Sequence, residues 1–117
     1  MPLKSASSLT KFSDKEIEQL FKSIKLKYRN VGLEILLAPR SLDYGRLLIS
    51  VPRRTGNSPQ RNYFKRRIRA IFYELKLFNL AFDWAILAKS RAGLQHDFAF
   101  LQKTMFDIAN DINIKTT

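Results

Sequence analysis

Between Ser58 and Leu77 the apolar side chains recur at helical spacing. Phe64, Ile68, Ile71, Phe72 and Leu75 stand at i, i+4, i+7, i+8 and i+11. A stripe of this kind has to be covered, so a helix here requires a sheet or a second helix to lie on. The opposite face carries Asn62, Lys65, Arg66, Arg69 and Tyr73 at i, i+3, i+4, i+7 and i+11. Ser58-Pro59 reads as an N-cap followed by the first helical residue, because proline's fixed φ suits that position and its missing N–H is no loss there. The segment predicts a helix with one face to bury and one face to show.

The shown face belongs to a wider run of charge. From Tyr44 to Tyr73 there is no Asp or Glu, yet there are eight basic residues: Arg46, Arg53, Arg54, Arg61, Lys65, Arg66, Arg67 and Arg69. Thirty of the 117 residues thus hold +8 of a formal net charge of +11. Seven of these eight are Arg, although the whole chain has 11 Lys and 10 Arg. Solubility has no need of arginine, whereas phosphate recognition favours its planar fork. Like charges at i,i+4 also repel on an unliganded helix. The pattern therefore reads as a polyanion site, with nucleic acid or an anionic membrane as the partner classes that charge alone suggests.

Other chemistry is narrowed by what is missing. With no cysteine there is no disulfide scaffold, Cys-ligated zinc site or thiol nucleophile. His96 is the single histidine, which makes most metal-hydrolase schemes improbable. Asp83, Asp107 and Asp111 are scattered, and no nucleophile–base pair can be assembled. The N-terminus lacks an apolar core of signal-peptide length, and no 18-residue apolar run is present. These features agree with a cytoplasmic protein that spans no membrane. The length predicts a single domain over 1–117, with 1–9 and 113–117 as flexible tails.

Elsewhere the chain alternates between helix and strand signals. Ser13-Asp14-Lys15-Glu16 is a capping box opening a short helix with Ile17, Leu20, Phe21 and Ile24 on one stripe. Lys25–Arg29 is extended, with Leu26 and Tyr28 sharing a face. Val31–Ala38 is a strand whose one face is Val31, Leu33, Ile35 and Leu37. Ser41–Gly45 is a turn and Arg46–Val51 a second strand, predicted to pair with the first as an antiparallel hairpin. Pro52–Asn57 is a basic loop with a tight turn at Gly56-Asn57. Trp84–Ala88 is a short apolar strand. Asp97–Ile112 is a last helix, with Phe98, Leu101, Met105, Ile108 and Ile112 facing in. This order predicts an α+β fold, a small mostly antiparallel sheet packed with helices. A strand–helix–strand step is by default a right-handed crossover.

Gly56-Asn57 followed by Arg61-Asn62-x-x-Lys65-Arg66-x-x-Arg69 resembles the signature of the bacterial ribonuclease P protein component. The resemblance extends to Lys11-Phe12 with Glu18-Gln19-Leu20-Phe21, to Gly45–Val51 and to Asp83–Lys89. Departures are Ser58 for the usual alanine, Pro52 for a small polar residue, Tyr63-Phe64 for a basic–aliphatic pair, and a less basic N-terminal arm. The resemblance implies a fold like the second domain of ribosomal protein S5, with a left-handed β-α-β crossover. It implies a subunit of a ribonucleoprotein that removes the 5′ leader of precursor tRNA. The catalytic RNA subunit would hold Mg²⁺ and perform the hydrolysis, so no protein residue is expected to be catalytic and no further protein partner to be obligatory. Arg53, Arg54, Asn57, Arg61, Asn62, Lys65, Arg66 and Arg69 would face that RNA, and Ile17, Phe21 and Ile35 would line the leader cleft. Other readings are a structural RNA-binding protein such as a ribosomal component and, with less support, a DNA-binding module, which lacks the second short helix of a helix-turn-helix.

Overall fold

The computed structural model describes residues 8–116, with side chains for 8–113. The helices are α1 (Asp14–Lys22), α2 (Ser58–Glu74) and α3 (Phe98–Thr116), and the strands are β1 (Leu26–Asn30), β2 (Leu33–Pro39), β3 (Leu47–Ser50) and β4 (Phe82–Ala88). Short 3-10 turns lie at Ser8–Thr10, Arg53–Thr55, Leu77–Asn79 and Arg91–Leu94.

One four-stranded sheet runs in the order β1-β2-β4-β3. β2 is antiparallel to both β1 and β4, and β3 is parallel to β4. The α+β class holds, and the sheet is mixed. The predicted hairpin between the second and third extended segments does not form. β2 pairs instead with β1 on one edge and β4 on the other, as a strand buried on both faces must. The chain after Pro39 is drawn past the start of β4 by Arg40 N–H to the Ala81 carbonyl (3.1 Å) and Gly45 N–H to the Phe78 carbonyl (2.8 Å). Asp83 then receives the Arg46 N–H at 2.8 Å, and Trp84 N–H reaches the Arg46 carbonyl at 2.8 Å, which starts the parallel ladder.

Side-chain alternation divides the sheet into two faces. Leu33, Ile35 and Leu37 of β2, Leu47 of β3 and Trp84, Ile86 and Ala88 of β4 point to α2 and α3, where they pack with Phe64, Ile68, Ile71, Phe72, Leu101, Met105, Ile108 and Ile112. Leu36, Ala38 and Ala85 point to the other face and pack under Leu20 of α1, with Phe12, Ile24, Leu48 and Leu87 at the margins. The fold therefore has three layers: α1, the sheet, and α2 with α3.

Several boundaries differ from expectation. Val31 sits in the β1–β2 turn and is 65% exposed, since the turn is completed by Gly32 at φ +70°. A side chain at Gly32 would also meet the Gly93 nitrogen, so glycine is required there twice over. α2 begins one residue earlier in its capping: Asn57, not Ser58, is the N-cap, in a reciprocal box with Gln60. The helix stops at Glu74 because Lys76 turns into the left-handed region (φ 54°) and Leu77 folds into the core. Leu9, expected in a tail, is buried in the α2/α3-side core. α3 continues through 113–116, also assigned to a tail, and the remaining tail positions 1–7 and 117 lie outside the described residues. Phe98, expected to face in, is 37% exposed. It occupies the first turn of α3, whose cap is Asp97 accepting the Phe100 N–H at 2.8 Å. The predicted capping box of α1 is present, with Ser13 and Glu16 bonded reciprocally.

Candidate nucleic-acid interface

The basic loop is a 3-10 turn, Arg53–Thr55, pinned from below. Thr55 is fully buried and donates its hydroxyl to the Pro52 carbonyl at 2.6 Å, which leaves Arg53 and Arg54 exposed. Asn57 then caps α2, whose apolar face is sealed by Phe64, Ile68, Ile71 and Phe72. That burial fixes the rotation of the helix and turns Asn62, Arg66 and Arg69 outward, with Lys65 half-buried beside them. Arg61 folds back toward the loop, with Nε on the Gly56 carbonyl (3.2 Å) and Nη2 on Ser58 Oγ (3.0 Å). Arg69 Nε reaches the Lys65 carbonyl at 3.3 Å. Among the described residues, none of Arg53, Arg54, Arg61, Lys65, Arg66 and Arg69 pairs with a carboxylate. Six uncompensated cations at the head and along one face of a helix form a surface suited to successive phosphates, with the helix N-terminus adding its own positive end.

Two arginines of the acid-free run are used elsewhere. Arg46 is 3% exposed. Its guanidinium meets Glu16 (2.8 Å), the Lys11 carbonyl (2.8 Å), Ser41 Oγ (3.2 Å) and Asp83 (3.8 Å), and it lies 4.2 Å over the Phe12 ring. Hydrogen bonding from the Ser13 backbone N–H, then from Arg46, holds the Glu16 carboxyl below its ordinary range. Burial pushes the Asp83 carboxyl up, and Arg46 only partly opposes it. Arg67 donates to the His96 (2.6 Å) and Leu94 (3.2 Å) carbonyls and stacks 4.5 Å over Tyr63. These two residues brace the fold.

On the other face of the sheet, Ile17 and Phe21 of α1 stand opposite Leu48, Ile49, Ser50, Val51 and Pro52 across an open concavity of about 580 Å³. Phe21 is 42% exposed, so an aromatic surface is available there. Pro52 leads directly into Arg53, so the concavity runs into the basic loop. Ile35, the third expected cleft residue, is not part of it. It is 4% exposed and points to α3, because it shares the face of Leu33 and Leu37. On β2 the residue directed toward α1 is Leu36, and on β3 Leu48 and Ser50 are nearest the cleft. Lys27, Arg29 and Lys89, which sequence reasoning did not single out, border an open depression at the far side of this face around Glu34. Arg29 and Lys89 approach Glu34 at 3.0 and 3.8 Å, leaving an excess of positive charge. The alternation at Lys25–Arg29 already contained that signal, since the face opposite Leu26 and Tyr28 is basic.

Among the described residues there is no group of three or more His, Asp or Glu side chains that could hold an ion. Nor, among them, is any helix long and apolar enough to cross a membrane. Tyr28 is drawn to Asp111 by a 2.5 Å hydrogen bond, and burial with that carboxylate pushes its phenol up to about 12. It acts as a strut between β1 and α3.

Comparison with known proteins gives one consistent result. A family model described as Ribonuclease P matches residues 3–113. The fold is similar to that of the RNase P protein of Staphylococcus aureus in its 2.0 Å structure, with TM-score 0.73 and 22% identity, over 89% of this chain and 94% of that one. A second structure of RNase P protein from Staphylococcus aureus gives TM-score 0.70 at 26% identity, covering 93% of each chain. The RNase P protein from Thermotoga maritima, in complex with 1-(4-fluorophenyl)-2-thiourea, gives TM-score 0.68 at 25% identity, over 81% of this chain and 92% of that one. Comparison with the curated proteins gives no match. With nearly its whole length matched by one family model, and its mixed sheet and helices superposing on solved members, the chain belongs to the ribonuclease P family as a bacterial RNase P protein component.

Proposed function

We propose that this subunit binds the RNA of ribonuclease P through α2 and the Arg53–Asn57 loop, and holds the 5′ leader of precursor tRNA in the cleft beside α1. The observation that carries the reading is the uncompensated cationic face of α2 and its loop, continuous at Pro52 with a cleft that offers an exposed aromatic ring. Arg and Lys neutralise backbone phosphates and Asn62 supplies a neutral donor and acceptor for a 2′-OH. Phe21 stacks on an unpaired leader base, Ile17 and Leu48 give apolar contact, and Ser50 offers a hydroxyl.

In this reading the RNA subunit holds Mg²⁺ and carries out the hydrolysis in the cytoplasm, and the protein positions RNA and substrate. Two of the protein's ten acidic residues, Glu16 and Asp83, are committed to Arg46. The family likeness also supports the S5-like arrangement and a left-handed β3–α2–β4 crossover. The test is reconstitution with the cognate RNA and 5′ maturation of precursor tRNA at low Mg²⁺. Cleavage several-fold faster than with RNA alone supports the reading. No gain, or co-sedimentation with ribosomal subunits, refutes it in favour of a structural RNA-binding role.

A further inference from the structure

A second cavity, of about 250 Å³, lies on the flank of α2 away from the leader cleft, between the first turns of that helix and the 91–97 segment. Tyr63 forms one wall and is 56% exposed. Its ring is held in place by the Arg67 guanidinium 4.5 Å over one face, and Arg67 is itself tied to the carbonyls of Leu94 and His96. The opposite wall is firm as well. His96 is fixed by a 2.6 Å hydrogen bond to the Val31 carbonyl and by stacking on Phe100 at 4.4 Å and 15°. At the rim, Arg91 and Gln95 are exposed, and their side chains have no hydrogen-bond or ion-pair partner among the described residues.

We infer that this cavity binds one unpaired nucleotide of an RNA strand lying on α2, an inference that rests on α2 being the RNA-facing helix. The chemistry selects that ligand. A preorganised aromatic plane backed by a guanidinium takes the face of a base. An amide at Gln95 matches a base edge, and Arg91 supplies a cation for the attached phosphate. A base inside a duplex is covered on its faces by stacked neighbours and on its edge by its pair, so the strand has to be single and the base unstacked at this point. An inorganic anion would leave Tyr63 unused, and an apolar peptide side chain would leave Arg91 and Gln95 unused. Tyr63 also stands where the sequence departs from the basic–aliphatic pair of the resembled pattern, so the resemblance alone does not imply an aromatic wall here.

The experiment is a side-chain NMR titration of the full chain with adenosine 5′-monophosphate and, separately, with ribose 5-phosphate. The expected result is that the mononucleotide shifts the ring signals of Tyr63 and the side-chain amide of Gln95, whereas ribose 5-phosphate leaves Tyr63 unmoved. Tyr63→Leu should weaken mononucleotide binding by roughly 5-fold or more, the loss of one stacked base, while Tyr63→Phe keeps it. Arg91→Ala, at an exposed position, should weaken binding several-fold without altering the fold. Shifts confined to Phe21, a ribose 5-phosphate pattern equal to that of the mononucleotide, or undiminished binding by Tyr63→Leu would each overturn the inference. Failure of the low-Mg²⁺ reconstitution would leave this titration unaffected, so the two readings fail separately.

Discussion

Replacing Arg46 with Met removes a guanidinium that joins three parts of the fold: the entry to α1 through Lys11 and Glu16, the turn at Ser41, and β4 through Asp83. The methionine refills much of the apolar volume, so the effect is electrostatic. Breaking a buried pair by deleting one partner costs about 3–5 kcal/mol. Asp83 is 4% exposed but keeps the backbone N–H of residue 46 at 2.8 Å, which places the loss near the lower end, about 3 kcal/mol. Glu16 can turn its carboxylate into water and adds little. With an m-value of about 1.5 kcal/mol/M, the urea midpoint should fall by about 2 M.

The pH dependence of that deficit has a definite sign. Burial already raises the Asp83 carboxyl above its ordinary value in the folded protein, so the fold takes up this proton more readily than the unfolded chain does. Removing Arg46 raises it further. Stability relative to wild type should therefore recover as acidification protonates Asp83, and the gap should widen again as pH rises. Urea denaturation of both proteins across a series of pH values measures this. RNA binding by the folded variant should keep its salt slope, since Arg46 touches no phosphate. A midpoint shift below about 0.5 M together with a slope reduced by about 0.7–0.9 would refute the reasoning and return Arg46 to the RNA surface.

Arg66→Ala should do the reverse: the urea midpoint stays within error, while the magnitude of the log–log salt slope of RNA binding falls by about 0.7–0.9; an unchanged slope removes Arg66 from the phosphate contacts. Asn57→Ala deletes the N-cap of α2 and should cost about 1 kcal/mol in thermal or urea unfolding, with Asn57→Ser restoring most of it. Phe21→Ala should reduce the preference for leader-bearing over mature tRNA by about 1–3 kcal/mol in competition binding. Ile35→Ala should instead lower stability by about 2–5 kcal/mol and leave that preference intact.

The helices were legible in the sequence because their signals are local. The capping box at Ser13, the apolar stripe of α2 and the alternation along β2 each lie within a few turns or residues. Strand pairing is a contest among distant segments, and proximity in sequence favoured the wrong partner for β3. What decides it is the loop after Pro39, which hydrogen bonds to 78–81 and delivers Arg46 to Asp83, 37 residues away. No pattern within either strand carries that information.

The same distinction explains the site. Arg46, Arg66 and Arg67 look alike in a stretch without acids, yet the partners that divert two of them lie far along the chain: Glu16 and Asp83 for Arg46, and the carbonyls of Leu94 and His96 for Arg67. A window of thirty residues reports local charge and is silent about counter-charges outside it. Ile35 is the contrary case. Its period-2 partnership with Leu33 and Leu37 was visible from the start, and a sheet with α2 and α3 on that face has to bury it. Positional resemblance had assigned it to the cleft, but side-chain parity forbids Ile35 from sharing a surface with Phe21 unless β2 slips by one residue. That slip would also move Leu33 and Leu37 out of the main core and bring Glu34 into it. The buried face therefore fixes the register, and the register selects Leu36 and Leu48, rather than Ile35, for the side on which α1 lies.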